Sequence, residues 1–252
     1  MTEASGNYVT VHNGLTDVPS LAHDGVLRSY LGVIDATLRT NYFRWKSGGT
    51  QSSTLVLKLG AGVHTDLSDQ RFWVETFVLG PHVAGIHLRA GPVARGGIRW
   101  STRGEDFRTE VLDLALAQVR KNAIIVPTGA KGGFVCRGTA GGEPSAGEVE
   151  VAYRAFIEGL LEITDNVVAE RAVVPTGVIA YDGEDPYLVV APEKGTAVFS
   201  DLANAVSSEH GFWLGDAFAS GGSQGFDHKA MGITSRGAWR TVQEVVPLNV
   251  EV

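Results

Sequence analysis

Apolar residues recur along this chain at two spacings, and the alternation between them lays out the elements. Between Glu105 and Lys121 the apolar positions Phe107, Val111, Leu114 and Ala115 keep a helical period and predict an amphipathic helix. A longer helix is predicted from Ala146 to Val168, with Val149, Tyr153, Phe156, Ile157, Leu160 and Leu161 on its buried side. Leu31, Ile34 and Leu38 predict a helix from Leu27 to about Tyr42, and Thr196 to Glu209 another, with Val198, Leu202, Ala205 and Val206 inward. A final helix is expected from Thr234 to Val242. Short runs rich in β-branched and aromatic residues, bounded by Gly, Pro or Asp, predict strands at Thr54–Leu59, Phe72–Leu79 and Gly85–Leu88, with further extended segments at Val173–Val174 and Tyr187–Ala191. The polar stretch 1–20 reads as a loosely held arm, and Lys46–Ser53 and Gly138–Gly147 as loops. Helices alternating with short strands make the fold class α/β, with a mixed sheet.

The stretch from Gly91 to Phe134 carries the densest chemistry. It contains Arg95-Gly96-Gly97 and Lys131-Gly132-Gly133, read as two glycine-rich turns that each present a cation on backbone able to approach a ligand closely. The apolar run Ala123–Val126 is expected to be a short strand leading into the second turn. Desolvation and neighbouring positive charge favour the neutral amine of a lysine, the form that exchanges protons in acid–base chemistry.

Composition narrows the role. The formal charge of -7 and pI near 5.5 argue against a nucleic-acid or anionic-membrane surface, so any anion site is a local pocket of cations. A single cysteine, Cys136, excludes an internal disulfide and reads as a small buried apolar residue. No stretch reaches the length of a membrane helix and no leader pattern opens the chain, so a cytoplasmic location is expected. The histidines show no metal spacing, and no metal site is predicted. There are 32 glycines, about twice the usual share, set between periodic apolar segments as in ligand-binding α/β proteins.

The motifs Gly91-Pro92-Val93-Ala94-Arg95-Gly96-Gly97-Ile98-Arg99-Trp100, Lys121-Asn122-Ala123, Gly129-Ala130-Lys131-Gly132-Gly133, Asp182-Gly183-Glu184-Asp185-Pro186-Tyr187 and Lys194-Gly195-Thr196-Ala197 occur in order over most of the chain. In these the sequence resembles the glutamate dehydrogenases, most closely the large NAD-dependent bacterial class. The resemblance implies a mixed-sheet substrate domain of the amino-acid dehydrogenase type over residues 21–230, with 231–252 forming a helix toward a nucleotide-binding domain. The Rossmann portion is largely absent, since no G-x-G-x-x-G occurs.

The resemblance also assigns roles. Arg95, where small family members carry a lysine, and Lys121, with Arg120 as its neighbouring alternative, would hold the carboxylates of L-glutamate or 2-oxoglutarate, alongside Gly96 and Gly97. Lys131 matches the catalytic lysine that manages the attacking water. Glu193 stands where the family has an aspartate for acid–base work, with Asp182 and Asp185 as alternatives set in a turn. Thr234 matches a threonine that contacts the nicotinamide of NAD, and is equally a helix N-cap; Gly221-Gly222-Ser223 lines the cleft. The activity implied is oxidative deamination of L-glutamate with NAD, by a homo-oligomer or as part of a larger chain. The alternative is a non-catalytic dicarboxylate-binding or assembly module, and a phosphate binder is a weaker third. A Ser/His/Asp hydrolase is not expected.

Overall fold

The structure is a computed structural model that describes residues 10, 12–46, 53–60, 71–138, 142–193, 195–196, 198–224 and 228–245. Its elements in chain order are α1 (Leu21–Ala36), β1 (Thr37–Thr40), α2 (Tyr42–Lys46), β2 (Leu55–Gly60), β3 (Val74–Leu79), β4 (Val83–Arg89), β5 (Ala94–Trp100), α3 (Phe107–Lys121), β6 (Thr128–Cys136) and α4 (Ala146–Glu162). There follow β7 (Asn166–Val168), β8 (Arg171–Val173), β9 (Ile179–Ala180), β10 (Val189–Ala191), α5 (Ser200–Glu209), α6 (His228–Met231) and α7 (Ile233–Val245). Eight strands form one mixed sheet in the order β10-β5-β6-β4-β3-β2-β1-β9, and β7 and β8 make a separate hairpin. β10, β5 and β6 run parallel; every other pairing in the large sheet is antiparallel.

Helices cover both faces because each inward stripe has a sheet face to match. On one face α3 buries Val111 and Ala115 against Ile86 and Leu88, with Phe107 and Leu112 packed beside them. The helix lies close: a Cβ on Gly133 would stand 2.3 Å from Val111, and one on Gly129 would meet the Gln118 backbone at 2.9 Å. On the other face α4 packs Tyr153, Phe156, Ile157 and Leu160 onto Val56, Val78, Ile98 and Phe134, and α5 adds Ala203 and Val206. A capping box starts α4, Ser145 accepting from the Glu148 N–H while the Glu148 carboxylate accepts from the Ser145 N–H.

Several elements differ from the sequence reading. The two basic glycine segments are not turns: Arg95-Gly96-Gly97 lies within β5 and Lys131-Gly132-Gly133 within β6. The first helix runs Leu21–Ala36, capped by Ser20, and Leu38 sits in β1, where the alternation Thr37-Leu38-Arg39-Thr40 buries Arg39. Ala123–Val126 forms an exposed turn, with Ile124 96% exposed. The long helix stops at Glu162 and the chain turns back through β7. α5 starts at Ser200; Val198 is 82% exposed, and Ala203 rather than Ala205 faces inward. Cys136 is half-buried at the end of β6. In the expected N-terminal arm, Leu15–Asp17 is a 3-10 turn with Leu15 buried, while residues 1–9 and 11 lie outside the described residues. So do 47–52 and 139–141 of the expected loops, and Lys194 and Ala197.

Candidate active site

β5 is flanked by two parallel neighbours that the chain reaches by opposite faces of the sheet. From β5 it crosses through α3 to β6; from β6 it runs through α4 on the far face before entering β10 on the other side of β5. Strand order therefore reverses at β5, and the crevice beyond the carboxyl ends of β5 and β10 is where open α/β sheets hold ligands. Arg99 and Trp100 close β5 there, and Glu193 follows β10 by two residues.

The register sets what faces that crevice. Arg95 pairs with Gly129 and Ile98 with Gly132, so Gly97 lies beside Lys131 with both on the face covered by α3. Gly96 has no room for a side chain, since a Cβ there would stand 1.6 Å from the Ala130 carbonyl oxygen. Gly97 leaves space that Glu193 fills, its Oε2 lying 2.3 Å from where a Cβ would be. Lys131, only 7% exposed, donates to that Oε2. Glu193 Oε1 lies 3.5 Å from Arg99 Nε. The Arg99 guanidinium donates to Glu110 Oε1 at 2.7 Å, and Ser101 Oγ donates to Glu110 Oε2 at 2.6 Å. The loop carrying Glu193 is pinned as well: the Glu193 N–H donates to Thr196 Oγ1 (3.1 Å), whose hydroxyl donates to the Ile98 carbonyl (2.6 Å). Lys131 thus sits against a carboxylate rather than against a second cation.

The other expected site residues fall around this pair. Arg95 is exposed on the same face as Gly97 and Lys131, one two-residue step along β5, about 7 Å. Lys121 is the exposed last residue of α3, one turn beyond the Gln118 backbone that sits over Gly129, the residue paired with Arg95. Thr234 is not an N-cap: it is exposed in the first turn of α7, after Gly232, and α7 packs mainly on α6. Among the described residues no glycine-rich strand-to-helix turn offers backbone N–H groups to a pyrophosphate, so these residues alone do not fit NAD.

The spacing G-x-S-x-G does occur once, at Gly221–Gly225, and the sequence reading passed over it. Its serine is engaged structurally, because the N–H and the hydroxyl of Ser223 both donate to Asp201 Oδ1 in the first turn of α5 (2.7 and 3.0 Å).

Sequence reasoning also missed a buried charge network on the α4 side of the sheet. Arg39 donates to Asp165 (2.5 and 3.0 Å) and to Asp182 (2.5 Å). Lys58 joins Asp182 (2.5 Å) to Asp185 (2.7 Å), and Arg89 grips Asp185 with two bonds (2.7 and 2.8 Å). Lys58 and Arg89 both lie over the Trp73 ring, at 4.7 and 4.9 Å. Burial alone would raise the Asp185 carboxyl, but Arg89 and Lys58 reverse that and hold it below its usual range. His87 beside them is held neutral, its pKa lowered to about 3 by burial and then by Arg89. Asp182 and Asp185 are therefore not a free acid–base pair in a turn: each is committed to two cations, and together they anchor the segment that enters β10.

The chain is similar to known proteins over nearly its whole length. Residues 10–248 match the family described as bacterial NAD-glutamate dehydrogenase, catalytic domain. An NAD-specific glutamate dehydrogenase of Halomonas elongata is 52% identical over 232 residues, which is 91% of this chain and 14% of that protein. One of Mycobacterium tuberculosis is 54% identical over 235 residues, 89% of this chain and 14% of that protein. The chain thus spans about one seventh of the length of these relatives. A solved glutamate dehydrogenase of Peptoniphilus asaccharolyticus aligns with 74% of this chain and 43% of its own at 19% identity, with a TM-score of 0.42. By the family match, the chain belongs to the bacterial NAD-glutamate dehydrogenase catalytic-domain family.

Proposed function

We propose that this chain supplies the substrate-binding and proton-handling part of an enzyme that converts L-glutamate, NAD and water to 2-oxoglutarate, ammonium, reduced NAD and a proton. The observation that carries the reading is the pairing of buried Lys131 with half-buried Glu193 at the strand-order reversal, where a cation and a carboxylate are held together in the crevice an α/β sheet reserves for ligands.

Arg95, with its planar fork, and Lys121 hold the two substrate carboxylates; Gly97 leaves the backbone bare on their face of β5, whereas Gly96 is packed against the Ala130 carbonyl and sets the closeness of the two strands. Lys131 steadies the water that adds to the imine carbon, and Glu193 accepts and returns the protons. Glutamate in place of the family's aspartate costs nothing in reach, because the extra methylene folds over Gly97. The hydride acceptor, NAD, is presented to the substrate carbon from residues outside this set, with Thr234 on the cofactor side. The protein works in the cytoplasm, as a homo-oligomer or within a longer chain.

The test follows reduced NAD in the purified protein after glutamate is added, beside a calorimetric titration with 2-oxoglutarate. Binding of 2-oxoglutarate without turnover is expected of this chain by itself, and turnover once the part that holds NAD is joined to it. Binding without turnover even then favours the second reading, a dicarboxylate-binding module, for which the poor fit of the described residues to NAD speaks. Neither binding nor turnover overturns both.

A further inference from the structure

Glu193 is held at one oxygen and nearly held at the other. Oε2 takes the Lys131 ammonium, while Oε1 stands 3.5 Å from Arg99 Nε, outside hydrogen-bond geometry, and that Nε is buried with no partner among the described residues. A buried donor left idle is uncommon and asks for an explanation. Arg99 cannot move to find one, because its other edge is fixed by Glu110, itself held by Ser101. The carboxylate is the mobile partner: beneath it lies Gly97, with no side chain to block a shift of about half an ångström, which is all that a normal bond requires.

We propose that Arg99 is the second seat of the Glu193 carboxylate, a positioning residue that takes Glu193 away from Lys131 when a dicarboxylate ligand binds. This rests on reading the crevice as a dicarboxylate site. As found, Glu193 occupies the amine that the ligand needs. A ligand whose carboxylates are held by Arg95 and Lys121 brings further negative charge into the crevice beside Glu193, and like charges at that range push apart. Glu193 then closes on Arg99 Nε, which satisfies the idle donor and frees Lys131 while keeping the carboxylate within reach of the reacting carbon. The fork of the guanidinium serves Glu110 and Glu193 from different nitrogens, which a single lysine ammonium cannot do in the same way.

The test is a double-substitution cycle read by 2-oxoglutarate binding in the purified protein, with thermal melting to confirm folding. Arg99→Met is expected to weaken the Kd about tenfold, because Glu193 then stays on Lys131. In a Glu193→Gln background the carboxylate is gone, Lys131 is already available, and adding Arg99→Met is expected to change the Kd less than about twofold. Arg99→Gln keeps a donor for Glu110 and carries the same comparison if the methionine variant does not fold. Equal losses in both backgrounds mean that Arg99 touches the ligand itself and overturn the proposal, as does no loss in either. Absence of binding by the unsubstituted protein overturns the functional reading, and this inference with it.

Discussion

Lys131 and Glu193, 62 residues apart in the chain, meet over the bare backbone of Gly97, so the acid–base pair of the crevice is positioned by a strand, a loop and a missing side chain. If Lys131 handles the protons of the reaction, Lys131→Met lowers kcat by about 10²- to 10⁴-fold, the range of a general acid–base group, while circular dichroism shows the fold retained. A loss smaller than about tenfold in steady-state kinetics removes Lys131 from the mechanism.

Adjacent glycines are expected to respond differently to alanine. In Gly97→Ala the new methyl meets the far end of a flexible side chain, so Glu193 swings off Lys131 and turnover falls while urea denaturation shows a loss of no more than about 1 kcal/mol. In Gly96→Ala it meets the Ala130 carbonyl, backbone of a central strand, and stability falls by about 3 kcal/mol or more. Equal stability losses would contradict the geometry.

Arg39 is fully buried and serves two carboxylates and two backbone carbonyls. Arg39→Met leaves Asp165 uncompensated in the interior and is expected to cost about 3–5 kcal/mol, measured by denaturant unfolding. Substituting Arg39 and Asp165 together should cost less than the sum of the single changes.

Stability is expected to fall with acidification well above the carboxylate range. His87 binds its proton near pH 6.5 when unfolded but only near about 3 when folded. The unfolded chain therefore takes up a proton that the native one refuses, so stability present above pH 6.5 is lost as the pH falls toward that lower value, by about 1.4 kcal/mol per unit. His87→Gln, which never charges, should flatten the slope of denaturant stability between about pH 6 and 4. An unchanged slope would show that His87 finds a proton-bound form inside the fold.

The β7–β8 hairpin turns on Ala169 and Glu170, both exposed and both with positive φ (48° and 63°). That mirror-image turn favours Asn-Gly, and L-residues with a Cβ cost about 1 kcal/mol each there. Replacing the pair by Asn-Gly is expected to raise the melting temperature by about 2–8 °C, read by calorimetry.

What the sequence disclosed, and what it hid, follows from the range of the interactions. The buried face of α4 was readable residue by residue, because Val149, Tyr153, Phe156, Ile157, Leu160 and Leu161 repeat within one helix. Strands β2, β3 and β4 were readable for the same local reason. Glycine misled at β5 and β6: its usual meaning is a turn, but here it answers to a neighbouring strand, a helix and the Glu193 side chain, none of which is near in sequence. The apolar run Ile124-Ile125-Val126 imitated a strand and is exposed instead. The network joining Arg39 to Asp182, 143 residues away, leaves no periodic trace at all. Of the crevice, the identities of Lys131 and Glu193 came from the family resemblance, while their contact and the part of Arg99 needed the fold.

The sheet has two rims, and both are short. β9 contributes two residues, and the three of β10 are bridged on their outer side by Phe218 and Ser220 through Val190. A rim with so few spare amides cannot template a foreign strand, which is how growing fibrils recruit chains. Concentrated solutions of this protein should therefore stay free of thioflavin-positive fibres, and any clumping should begin from partly opened molecules.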